Sequence, residues 1–155
     1  MQHATHGGTK SGYWSLFIQT ATSAIVMYFV MFVMIDSTES FYNNLNMLYM
    51  TLMMAAPMVA LMILGMWHMF PAKIANFALL ATAIAVFFGS FALIRTQATI
   101  GDTAFLRSMI PHHSGAILMC RNAKLTEPEV IGLCDSIQRS QRQEIDQMKA
   151  ILARH

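Results

Sequence analysis

The sequence predicts an all-α protein in which three transmembrane helices precede a helical hairpin. The hairpin is of the four-helix-bundle type, and a single hairpin completes such a bundle only by oligomerising. Three observations lead there. Of 18 charged residues, only Lys10, Asp36, Glu39, Lys73 and Arg95 lie before residue 101; the other 13 crowd into residues 101–155. The apolar part holds three charge-free stretches, 11–35, 40–72 and 74–94. The polar part carries two seven-residue patterns that answer each other. The overall composition, 55% hydrophobic and 12% charged, is an average over these two parts. An ordinary soluble domain is roughly a quarter charged, and a disordered chain is less hydrophobic and more charged. A net charge of +2 without a basic tract leaves no case for nucleic-acid binding.

Residues 1–12 read as a flexible tail, although Met1-Gln2-His3 could bind Cu(II) or Ni(II) through its amine, backbone nitrogens and imidazole, with His6 adding another ring. Residues 13–95 form the membrane part, with span cores Tyr13–Ile35, Leu45–Phe70 and Ile74–Ile94. A bilayer core of about 30 Å takes about 20 apolar helical residues, and each core meets that length. Tyr13, Trp14, Tyr42, Tyr49 and Trp67 sit near span ends, where amphipathic rings favour the interface. The first span is too long, and too weakly charged ahead of it, for a cleaved signal peptide. Pro57 falls inside the second span, where a kink is tolerated. Membrane lipid is therefore one expected partner. Three crossings put Lys10 and Lys73 on one face, and Asp36, Glu39 and Arg95 on the other. The positive-inside rule then places the N-terminus in the cytoplasm and the C-terminal hairpin outside, with Arg95 and Arg107 pulling the other way.

Eleven of 15 Met residues lie between positions 27 and 69. Met27, Met31 and Met34 make one helical stripe; Met47, Met50, Met54, Met58, Met62, Met66 and Met69 make another. Adaptable packing accounts for them. A thioether lane for Cu(I) or Ag(I), gated by His68, is the sharper alternative.

Residues 101–155 form the hairpin. Its first helix is expected over Asp102–Lys124, capped by Asp102 or Thr103. The second follows a capping box, Thr126 with Glu129, and has Pro128 in its first turn. The second helix repeats every three or four residues through Val130, Cys134, Ile137, Gln141, Glu144, Met148 and Ile151. The first answers with Leu106, Met109, His113, Ala116, Cys120 and Ala123. A turn centred near residue 127 sets Cys120 opposite Cys134, His113 opposite Gln141, and Met109 opposite Ile145 beside Glu144. The polar seam residues then share one level and need partners: each other, water or a metal. Cys120 and Cys134 are placed for a disulfide, or else serve as small core residues or soft ligands.

The run Asp102-x-x-Phe105-x-x-x-Met109-Ile110-Pro111-His112-His113-x-x-Ala116-x-x-Met119 closely resembles the bacterial domain of unknown function 305 family. Ile137-x-x-x-Gln141-x-x-Glu144-Ile145-x-x-Met148 is similar to its second helix. The resemblance covers roughly residues 100–153 and leaves out the spans. It implies an all-helical, ferritin-like fold, and copper binding through Met and His outside the cytoplasm. Met109, His112, His113, Met119 and Met148 become the implied ligands; Glu144, at the same level, would suit Cu(II), Zn or Fe better than Cu(I). A di-iron centre needs Glu-x-x-His pairs, and the chain has none. No nucleophile–base arrangement or phosphate loop appears, so no enzyme is expected. The expectation is a multi-pass protein of a bacterial inner membrane with a periplasmic hairpin. It holds copper for tolerance, storage or hand-over to a metal-handling partner protein, and works as a homo-oligomer. The alternative is a non-enzymatic assembly module whose polar seam fixes helix register.

Overall fold

The computed structural model describes residues 8–154, with side chains from residue 12 onward. The Met1-Gln2-His3 motif and His6 lie outside these residues. Five α-helices follow in order: α1 Gly8–Val30, α2 Leu45–Gly65, α3 Lys73–Thr96, α4 Asp102–Asn122 and α5 Pro128–Leu152. The described residues form two units, one of residues 8–28 and 48–97, the other of residues 29–47 and 98–154.

The first unit contains most of the three apolar helices expected as spans. Three helical segments, Gly12–Met34, Leu45–Gly65 and Lys73–Thr96, are long and apolar enough to cross a membrane. α1 begins at Gly8, ahead of the expected Tyr13, and gives way to a 3-10 turn over Met31–Met34. α2 runs through Pro57 but stops at Gly65, short of the expected Phe70. Gly65 lowers the cost of leaving the helix, and Pro71 bars Phe70 from helical geometry, so Trp67–Met69 form a 3-10 turn instead.

Leu16, Ile63 and Phe70 form the small core here, with Met62 and Met66 packed against it. Met50, Met54 and Met69 remain exposed, so the long Met stripe is divided between packing and outer surface. Asn76 is fully buried. Its amide donates to the Phe70 carbonyl at 2.8 Å, and its oxygen accepts from the Tyr13 hydroxyl at 2.7 Å. These bonds tie α1 to the connection between α2 and α3. α3 ends at Gln97, whose φ of 53° is left-handed.

The second unit is the hairpin together with the segment 31–44 that joins α1 to α2, here termed the strap. Leu106, Ile110 and Ile117 of α4 pack on Ile145 and Met148 of α5, with Tyr42 of the strap and Met109, Ile151 and Leu152 around them. This shifts the expected α4 seam. Ile110 and Ile117 are buried where Met109 and Ala116 were expected: burying Ile117 in place of Ala116 removes more apolar surface from water, while Met109 still packs at the core's edge. On α5, Ile145 takes the buried place next to the exposed Glu144.

Neither predicted cap forms. Gly101 precedes α4 without a side-chain cap bond, and Glu127, not Thr126, precedes α5. Pro128 thereby takes the first helical position, where its fixed φ and missing N–H cost least.

Candidate metal centre

α4 carries the candidate site at its middle, and Pro111 lies within the helix without ending it. His113 is buried, with both ring nitrogens engaged. Nδ1 is 2.9 Å from the Met109 carbonyl oxygen, and Nε2 is 2.7 Å from Oε2 of Glu144 on α5. A carbonyl only accepts, so Nδ1 carries a hydrogen. An ionised carboxylate also only accepts. The contact at Nε2 therefore holds one further proton, on the imidazole or on the carboxyl. Of the two side chains, His113 is 11% exposed and Glu144 49%, so the pair opens to solvent on the carboxylate side.

The partner of His113 is one turn beyond the expected Gln141. In an antiparallel hairpin each side chain leans toward the N-terminus of its own helix. His113 thus leans away from the connecting turn, and Glu144 leans toward it. The two meet between their levels. Cysteine is too short to lean far, and Cys120 pairs with Cys134 as the turn position dictates. They form a disulfide with Cα atoms 5.3 Å apart.

The other candidate ligands are spread around this pair. His112 is exposed, and its ring centroid lies 6.0 Å from that of His113. Met109 is half-buried at the edge of the core. Met119 is 55% exposed and, seven residues along the helix, lies about 10 Å from the level of His112. Met148 belongs to the hydrophobic core. One chain therefore joins His113 to Glu144, keeps Met109 and His112 on the same stretch of α4, has Met148 in the core on which Met109 packs, and leaves Met119 exposed. Among the described residues no three His, Cys, Asp or Glu side chains converge as a metal cluster.

The strap lies against the same helix. The Asp36 backbone N–H donates to Ser114 Oγ at 2.6 Å, and the Asp36 carboxylate pairs with Arg121. Lys149 reaches Glu39 at 3.5 Å, an exposed contact of little energetic weight. A Cβ added at Gly115 would lie 3.4 Å from the Met34 carbonyl oxygen, so the bare glycine lets the strap rest on the helix backbone. Phe41 packs on Phe32 with ring centroids 4.2 Å apart, which stiffens the strap. Ser114-Gly115, two small residues directly after the His pair, is the one sequence sign of this close approach.

The family described as "Domain of unknown function (DUF305)" matches residues 91–152. "Uncharacterized protein L153" of Acanthamoeba polyphaga mimivirus is 38% identical over 112 residues, which cover 70% of this chain and 71% of that relative. No solved structure matches the chain.

Proposed function

The chain belongs to the domain of unknown function 305 family, and from that premise we propose that it is a membrane-anchored metal-binding protein whose hairpin holds copper. The observation that carries this reading is the grouping of His113 and Glu144, bonded at 2.7 Å, with the exposed imidazole of His112 and the thioether of Met109 on the same stretch of α4. Imidazole with thioether is a soft to intermediate donor set that suits Cu(I); exchange toward Glu144 suits Cu(II). A metal at His113 Nε2 takes the place of the proton that the nitrogen shares with Glu144. Met119 serves as an outlying thioether and Met148, in the core beside Met109, as a buried one, for transfer or for packing. The role is tolerance, storage or hand-over to a metal-handling partner protein, without catalysis.

The disulfide supports a hairpin outside the cytoplasm, since such bonds persist in oxidising compartments. We place the protein in a bacterial inner membrane with the hairpin on the periplasmic face. Elemental analysis of protein purified without chelators tests the metal. Copper should be retained or taken up, and the double variant His112→Ala/His113→Ala should lose most of it. Unchanged stoichiometry in that variant would refute the site.

One observation favours a second reading. The His113–Glu144 bond is already complete, as a register-fixing polar pair would be. An assembly module of this kind would contain no metal, and the oligomeric state and thermal stability of the wild-type protein would not change when copper is added.

A further inference from the structure

No residue between Ile117 of α4 and Ile145 of α5 is buried. The hydrophobic core of the hairpin, Leu106, Ile110 and Ile117 with Ile145 and Met148, ends where that stretch begins. α4 stops at Asn122 and α5 starts at Pro128, so the first turns of α5 have almost no helix opposite them. Their apolar side chains stay in contact with solvent: Val130 is 40%, Ile131 41% and Leu133 59% exposed. In α5 ahead of Glu144, only Cys134, Ile137, Gln138 and Gln141 are half-buried. The Asp36–Arg121 pair ties the strap to α4, not to α5. A helical segment draws most of its stability from a packed face, and this one has little. What joins it to α4 is a covalent bond, Cys120–Cys134, with Cα atoms 5.3 Å apart.

We propose that Cys120–Cys134 is a redox latch: a dithiol opens it, and residues 120–141 of the hairpin then unfold locally while the rest stays folded. Both cysteines are only half-buried, within reach of a small dithiol, and an accessible disulfide is of the labile kind. A thiolate of the dithiol attacks one sulfur of the pair. The S–S bond breaks, a mixed disulfide forms, and the other cysteine leaves as a thiolate and takes a proton. The second thiol of the dithiol then displaces the first cysteine. Two electrons and two protons pass to Cys120 and Cys134, which end as thiols, and the dithiol ends as a disulfide. With the bond gone, the exposed start of α5 has too little buried surface to stay in place, and opening is confined to it. The core residues, the Asp36–Ser114 bond and the His113–Glu144 pair all lie outside the released stretch. The redox state of the surroundings therefore sets the order of the hairpin tip without dismantling the hairpin.

This inference goes beyond the copper reading and does not depend on it. Full-length protein in detergent is treated with dithiothreitol under native conditions. Thiols are counted by alkylation, and backbone hydrogen exchange is followed before and after. Dithiothreitol should release both thiols without denaturant. Amides of residues 130–141 should then exchange about a hundredfold faster, the scale of removing a loop constraint of this length, with the sequence separation at 14. Amides of residues 106–117 and 145–151 should keep their rates, and reoxidation should restore the original pattern. Cys120→Ala/Cys134→Ala should show the fast pattern with and without dithiothreitol. Thiols that appear only in denaturant would overturn the latch. So would release of both thiols with exchange unchanged, since the bond would then not be what holds the tip. Equal acceleration at residues 145–151 would overturn it as well, because the disulfide would then support the whole hairpin rather than its tip.

Discussion

Ser114 of α4 accepts a 2.6 Å hydrogen bond from the backbone N–H of Asp36, so the segment between the first two spans is held to the middle of the C-terminal hairpin. Ser114 is fully buried. Replacing it with Ala leaves a peptide N–H without a partner at that place. A loss of about 1–3 kcal/mol is expected, read as a lower unfolding midpoint, together with faster hydrogen exchange at the Asp36 amide. Exchange at wild-type rate would show that the bond contributes nothing.

Gly115 should be equally sensitive for a different reason. With the Met34 carbonyl oxygen 3.4 Å from the position of a Cβ, Ala makes contact and Val must displace the strap. The expected order of stability is Gly, then Ala, then Val, with Val costing about 1–3 kcal/mol by overpacking. A Val variant as stable as wild type would mean that the strap does not rest there.

The His113–Glu144 pair distinguishes an amide from an apolar residue. In Glu144→Gln, the side-chain amide can donate to Nε2 while Nδ1 keeps its hydrogen for the Met109 carbonyl. The loss should stay below about 1 kcal/mol. Glu144→Leu leaves Nε2 of a largely buried ring unpaired and should cost about 1–3 kcal/mol. Denaturant titration of the two variants decides it, and equal losses would refute the hydrogen-bond assignment.

The Cys120–Cys134 disulfide closes a loop with a sequence separation of 14 residues. In the chain-entropy picture such a loop contributes about 3 kcal/mol. Reduction should lower the unfolding midpoint of α5, and Cys120→Ser/Cys134→Ser should match the reduced protein. Free thiols in freshly purified protein, detected by alkylation and mass measurement, would contradict the pairing.

Because the strap and hairpin contact each other, a reporter inserted at Ser37 and one fused after the C-terminus should lie on the same side of the membrane. The periplasmic placement adds that both are active only outside the cytoplasm. Reporters on opposite sides would be incompatible with the Asp36–Ser114 bond.

The hairpin was largely legible in the sequence because its two helices share one periodic seam. Cys120 against Cys134 follows from the turn position and the period alone. The lean of helical side chains moves the His113 contact from Gln141 to Glu144, a correction of one turn that spacing does not contain. The cap of α5 shifted because Pro128 prefers the first helical position over the second. The strap was legible only in the small pair Ser114-Gly115, which shows where a segment comes close but not which one. Its residues follow no period, and its bonds run from a loop backbone to Ser114 and from Asp36 to Arg121, far apart in the chain. Nor does a heptad pattern reveal that the strap covers a second flank of α4.

The strap would also tie folding to the count of membrane crossings. Two helices long and apolar enough to span, α2 and α3, separate it from the hairpin, so in a membrane the two meet only when both insert or both fail. A chain that misses one crossing leaves the hairpin on the far side, with Tyr42 absent from the core and Ser114 and Gly115 uncovered. If these helices cross a membrane, the Asp36–Ser114 contact acts as a parity check on insertion, made when the hairpin closes on a loop synthesised before it.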